Sequence, residues 1–159
     1  MPVTTNIFYF SHGSENASRP PLVFLHGAGG THLHWPPQVR RIIGQRIFAL
    51  DLPGHGKSSG VGSQSISDYA RAVVDFLDAT RLNAAVFIGH SMGSAIALTL
   101  ALDFPKRVLG LGLVGSGARL RVAPQILEST ASEALFPQAI KLINDAEFGP
   151  SAGPRLKEL

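Results

Sequence analysis

The sequence predicts an α/β fold, a mostly parallel sheet with helices on both faces. Short strand-like runs alternate with longer helical patterns along the first two-thirds of the chain. The central runs are continuously apolar rather than alternating, as strands buried on both faces are. The chain has 159 residues, 45% hydrophobic and 16% charged, which suffices for one real core.

The elements follow in order. "TNIFYF", Thr5 to Phe10, reads as a first strand, followed by a polar, turn-rich stretch to Arg19. "LVFLHG" (Leu22 to Gly27), "RIFAL" (Arg46 to Leu50) and "AAVFIG" (Ala84 to Gly89) are the buried-strand runs. Before the last of them, "SISDYARAVVDFLDATRL" places Tyr69, Val73, Phe76, Leu77 and Thr80 on one helical face, and core packing accounts for it. Ser65 with Asp68 resembles a capping box at its start. Met92 to Asp103 reads as the next helix, closed by Pro105, and "RVLGLGLV" (Arg107 to Val114) as one more strand. From Ala118 the strand pattern stops. Pro124, Pro137, Pro150 and Pro154 divide weakly amphipathic pieces, and the terminal "PRLKEL" reads as an unfinished helix. The expected organisation is a core over residues 1–117 and a helical segment over 118–159.

Composition excludes several classes. The net charge of +3 comes from scattered basic residues without a basic stripe, which disfavours a nucleic-acid partner. Zero cysteines exclude disulfides and a cysteine nucleophile. No apolar run approaches the ~18 residues of a transmembrane helix, and the start lacks a basic signal region, so a cytoplasmic protein without a membrane partner is expected. No metal-ligand spacing is present, so no metal or cofactor is expected.

Three glycine-rich stretches compete as carriers of chemistry. "DLPGHGKSSG" ends in Gly-Lys-Ser, but Asp51 stands where a phosphate loop needs its first glycine. "GLGLVG", Gly110 to Gly115, has dinucleotide-loop spacing but lies inside a predicted strand and leads into no helix, so small residues in a packed strand are the better account. "GHSMG", Gly89 to Gly93, follows a predicted strand directly and precedes a predicted helix. That is the context of a nucleophile elbow, in which Ser91 sits on a sharp strained turn and flanking glycines prevent collisions. A serine at a helix start also lies beside unpaired N–H groups, which favour an oxyanion.

"LHGAGG" (Leu25 to Gly30), "DLPGHGKS" (Asp51 to Ser58) and "GHSMG", in this order and each after a strand, resemble the α/β-hydrolase fold, in particular its single-domain serine hydrolases with a helical cap. The resemblance runs from the first strand to about Ala118. It implies that Ala28 and Met92 donate backbone N–H groups to an oxyanion, that His26 holds its loop, and that His55 is structural. Gly27, Gly29, His90 and Trp35 are expected to line the substrate site. A serine at position 91 implies acyl transfer to water from a small, mostly apolar acyl substrate, with no cofactor.

In this fold the chain order is Ser, then Asp or Glu, then His. All six histidines (His12, His26, His32, His34, His55 and His90) precede Ser91. None of the later acids, from Asp103 to Glu158, ends a predicted strand. The chain therefore resembles the N-terminal two-thirds of a hydrolase, lacking its last two strands and holding the start of a cap. His32 and His34 are expected as surface histidines of an entrance loop, with no acid to orient either ring. The strand Arg107–Val114 becomes an apolar edge, which another chain could pair. A non-catalytic binding protein of the same fold, or an inactive fragment, is the competing expectation.

Overall fold

The computed structural model describes residues 6–117, 122–130 and 133–147. The chain forms two compact units, Met1–Leu120 and Arg121–Leu159. The first holds five strands: β1 (Tyr9–His12), β2 (Leu22–Leu25), β3 (Ile47–Leu50), β4 (Ala85–His90) and β5 (Val108–Val114). Their order across the sheet is β1-β3-β2-β4-β5. β1 runs antiparallel to β3, and the other pairs are parallel.

β1 begins later than the hydrophobic run suggests. Asn6 turns the chain with φ 58°, so Ile7 makes only an isolated bridge and continuous pairing starts at Tyr9. Thr5 lies outside the described residues.

β2, β3 and β4 lose both faces to packing, which their unbroken apolar runs require. On one face lie α2 (Ile66–Ala79) and α3 (Met92–Asp103), burying Phe76, Leu77, Ile96 and Leu100 against Val23, Leu25, Leu50 and Phe87. The other face carries α1 (Pro37–Arg40), with Val39, Trp35 and Phe24 over Ile47 and Ala49. The Ser65 hydroxyl caps α2 by accepting from Asp68 N–H (3.1 Å) and donating to Asp68 Oδ2 (2.7 Å). A capping box would send a longer glutamate to the Ser65 N–H instead.

β5 has β4 on one side and no strand on the other among the described residues. Arg107 anchors its start, donating to Asn83 O (2.7 Å) and Asp78 Oδ1 (2.7 Å). Gly110 and Gly112 lie opposite Val86 and Ile88, close enough that a Cβ on Gly112 would sit 3.1 Å from the Ile88 side chain. The glycine spacing thus serves strand packing. Leu109, Leu111, Leu113 and Val114 remain 38–56% exposed, and Leu102 on α3 80%. α3 contains no charge before Asp103, so it presents no polar face to water.

The second unit holds α4 (Pro124–Thr130) and α5 (Phe136–Glu147), divided near the predicted prolines and packed on each other. Ala139 is fully buried there. The terminal "PRLKEL" lies outside the described residues. Among those described, no helix is long and apolar enough to cross a membrane.

Candidate active site

In a parallel sheet the loops leaving the C-terminal strand ends meet along one edge. Here three of them do: the loop after β2 carries Gly27 to Thr31, the loop after β3 carries Asp51 to Ser58, and the turn after β4 is Ser91.

Ser91 has φ 51° and ψ −115°, a backbone state that side chains rarely adopt. It joins β4 to α3 without a residue to spare. The turn is held by Ser91 N–H donating to Val114 O (3.0 Å), and by the Ser94 hydroxyl donating to Gly89 O (2.7 Å). Both flanking glycines are sterically obligatory. A Cβ on Gly89 would overlap the Gly93 carbonyl, and a Cβ on Gly93 would overlap the Leu25 carbonyl.

The pair (51°, −115°) mirrors an ordinary extended conformation, which glycine adopts freely. Ser91→Gly should therefore raise the unfolding free energy by about 1 kcal/mol, the relief of strain less glycine's entropy cost. Urea denaturation checks it, and an unchanged or lower midpoint would show that the elbow stores no strain.

The loop after β2 closes on Ser91. A Cβ on Gly27 would lie 3.3 Å from Ser91 Cβ and 3.1 Å from His90 Nδ1. Ala28 and Gly29 are exposed, while Gly27 and Gly30 are buried. The N–H groups of Met92 and Gly93, the first two residues of α3, have no acceptor within the helix. Ala28 N–H has no partner among the described residues. The His90 ring fills the space between Gly27 and Gly115, whose Cβ would lie 3.2 Å from Nε2.

Trp35 lies elsewhere. Expected at the substrate site, it is 91% buried, its ring 4.9 Å from Phe24 in the core on the α1 face. Its contribution is packing, because the aromatic ring adds more by covering β2 and β3 than by facing water.

His32 also departs from expectation. It is 93% buried rather than a surface histidine, and an acid does orient it: Nδ1–H donates to Asp51 Oδ1 (2.8 Å), which also accepts His32 N–H (2.6 Å). Lys57 N–H donates to the other carboxylate oxygen (2.9 Å). Burial alone would raise the Asp51 pKa, but these donors outweigh it and hold the carboxyl below its ordinary value. Asp51 follows β3 and Ser91 follows β4, with β2 between them, so two strand spacings, about 10 Å, separate their backbones. The His32 ring leans on Phe8, on the β1 side (5.1 Å). This pair organises the loops without reaching Ser91.

His26 is fully buried and holds its loop: Nε2 accepts Leu52 N–H (3.0 Å), and Nδ1 contacts Gly27 O (2.7 Å). Burial lowers its pKa to about 4. His55 Nδ1 contacts Pro53 O (3.0 Å), and its ring lies 5.0 Å from His26. Among the described residues no cluster of three or more potential metal ligands occurs. A separate cleft lined by His12, Glu15, Arg46 and Arg81 opens at the opposite end of the strands.

The chain is similar to known proteins. The sequence profile of a family described as alpha/beta hydrolase fold matches residues 20–144. The chain is 34% identical over 147 residues to the dihydrolipoyllysine-residue acetyltransferase component of an acetoin cleaving system from Pseudomonas putida, covering 86% of this chain and 38% of that one. It is also 34% identical over 110 residues to 3-oxoadipate enol-lactonase 1 of Acinetobacter baylyi, covering 69% and 41%. The solved structure of a thermophilic esterase superposes with a TM-score of 0.72 at 30% identity, over 96% of this chain and 60% of that one. The chain thus spans less than half the length of these curated relatives. With the sheet order, the strained turn after β4 and the profile match in agreement, the chain belongs to the alpha/beta hydrolase fold family.

Proposed function

We propose that the chain carries the nucleophile half of a serine hydrolase acting on a small, mostly apolar ester or related acyl bond. The observation that supports it most is the Ser91 turn, a strained non-glycine residue at the head of α3 with the Gly27 loop packed on it. Ser91 Oγ attacks the acyl carbon, and the negative charge that develops on the carbonyl oxygen is taken by Ala28 N–H and Met92 N–H. The bond to the leaving group breaks, the serine proton goes to that group through a base, and water then releases the acyl group from Ser91. Gly27, Gly29 and His90 form the near wall for the acyl group. The relatives that act on an enol-lactone, on carbamates and on a pimeloyl methyl ester point to the same broad acyl class.

The base and its orienting acid come from outside these residues. His26 has both ring nitrogens engaged, His32 is turned to Asp51, and no histidine follows Ser91. The outer edge of β5, on which no strand pairs among the described residues, is the natural entry for them. A further parallel strand paired there would satisfy the backbone groups along that edge and end beside the elbow.

The engagement of His26 and His32 also supports a second reading, a non-catalytic binding protein of the same fold. Hydrolysis of a 4-nitrophenyl acyl ester separates the possibilities. The 159-residue chain should turn it over poorly, and Ser91→Ala should remove what activity there is. Sustained turnover by the purified chain, lost in Ser91→Ala, would show that it holds its own base.

A further inference from the structure

We infer that the cleft at the N-terminal ends of the parallel strands, at the opposite end of the sheet from Ser91, is a binding site for a small organic phosphate, held by the Arg46 and Arg81 guanidinium groups. This site goes beyond the hydrolase chemistry and does not depend on Ser91.

The cleft has a volume of about 390 Å³ and is bounded by the end of β1, the residues before β3 and the end of α2. Small-molecule pockets typically measure about 300–1,000 Å³, so it admits a small ligand. Tyr9 and Phe48 supply apolar lining, and His12, Glu15, Arg46 and Arg81 supply polar groups.

Arg46 is held ready for an anion. Its guanidinium lies 5.1 Å from the centre of the Phe48 ring and its side chain is only 20% exposed, so the planar fork is in place before any ligand arrives. Its one ion pair among the described residues is to Glu15 Oε1 (3.2 Å), on a side chain 86% exposed. Such a pair is weak, because water screens the carboxylate and the flexible side chain is free to leave. Gly13 presses this loop against the start of β3: its φ is 87°, and a Cβ there would overlap the Gln45 carbonyl.

Arg81 stands where the fold favours glycine. α2 ends in a Schellman turn, with Leu82 N–H donating to Leu77 O (2.8 Å) and Arg81 N–H to Asp78 O (3.1 Å). Residue 81 closes this turn in the left-handed conformation, φ 55°, which strains a residue that carries a Cβ. Complementing the helix dipole does not account for the arginine. Arg107 already places a cation at that end of α2, donating to Asp78 Oδ1 (2.7 Å) and Leu82 O (3.0 Å). The ion pairs among the described residues belong to His32, Arg46 and Arg107, so Arg81 brings an unpaired charge to the cleft.

Two guanidinium groups thus meet one exposed, displaceable carboxylate. The two oxygens of a carboxylate ligand would be filled by a single guanidinium fork. A phosphate monoester has three terminal oxygens and about −1.5 to −2 charge at pH 7, which matches both forks. The Tyr9 and Phe48 rings offer apolar surface to the organic part of such a ligand.

Phenyl phosphate combines the two features and serves as the probe. Titrated into the 159-residue chain at constant ionic strength and followed by amide chemical shifts, it is expected to saturate, with changes centred on residues 9–15, 46–48 and 79–81. Arg81→Gly should weaken binding about tenfold, the modest end of what a charge-assisted hydrogen bond contributes. The same variant should keep or raise the urea midpoint, because glycine adopts the left-handed turn without strain. A lower midpoint would show that the arginine serves the helix end and would overturn the proposal, as would unchanged affinity. Glu15→Gln should tighten binding by removing the competing carboxylate, and weaker binding there would contradict the site. Phenyl sulfate and benzoate, each with a single charge, should bind more weakly than phenyl phosphate; equal affinities would overturn the assignment of a phosphate. Absence of saturable shifts in the native chain at millimolar phenyl phosphate would overturn the site itself.

Discussion

Gly93→Ala should leave the chain at least about 3 kcal/mol less stable than the native protein, beyond the usual cost of overpacking. Gly93 is the second residue of α3, and the atoms its Cβ would meet are the Leu25 carbonyl and, at 2.8 Å, the His26 carbonyl oxygen. Both are backbone at the C-terminal end of β2, which is hydrogen-bonded to β3 on one side and to β4 on the other. No rotamer relieves the overlap. α3 must lift off the sheet, taking Ile96, Ala97 and Leu100 out of the core. Gly110→Ala provides the contrast within the same sheet. Its Cβ would rest 3.6 Å from the Val86 methyls, an ordinary contact, so the change should lie within about 1 kcal/mol of neutral. Urea denaturation of both variants checks the pair. Similar stabilities for the two would mean that the elbow is not as tightly packed as described.

Acid should weaken the fold in two stages. His26 is held neutral because burial opposes its charge, with a pKa near 4 against 6.5 in the unfolded chain. Above pH 6.5 both states leave this ring unprotonated, and it contributes no pH dependence. Between pH 6.5 and 4 the unfolded chain binds a proton that the folded one refuses, so unfolding becomes easier by about 3 kcal/mol in total. Asp51 acts in the next window. Its folded pKa lies below the unfolded value of 3.8, so its stabilisation is present above that pH and lost as pH falls through the folded value. Urea midpoints at pH 7, 5.5 and 4.5 test the first stage. His26→Asn should flatten the profile there, and a native profile already flat from pH 7 to 4.5 would contradict the account.

Much of this arrangement is legible in the residues themselves. α3 occupies Met92–Asp103 as its composition and the closing Pro105 suggest, and the strand runs fall within a residue or two of β2 to β5. Steric requirements of a tight turn are local, so Gly89, Ser91 and Gly93 declare themselves within five residues.

Pairings across the sheet do not declare themselves in this way. His32 and Asp51 are 19 residues apart, and no periodicity links them. A signal was nevertheless present: both follow strands that α/β topology places side by side, so their loops had to meet. Trp35 is ambiguous in the sequence because a single aromatic after a glycine loop reads equally as pocket wall or core. Only the register of β2 and β3 beneath it, with Phe24, Ile47 and Ala49 facing the ring, decides for the core.

The central claim is that Ser91 is presented as a nucleophile opposite Ala28 and Met92. It is tested most directly by intact-mass and peptide mapping of the folded chain after exposure to a 4-nitrophenyl alkylphosphonate. The account predicts one adduct per chain, slow to form for want of a base, located on Ser91 and lost in Ser91→Ala. A folded chain that takes no adduct at Ser91, or takes it equally at other serines, would contradict it.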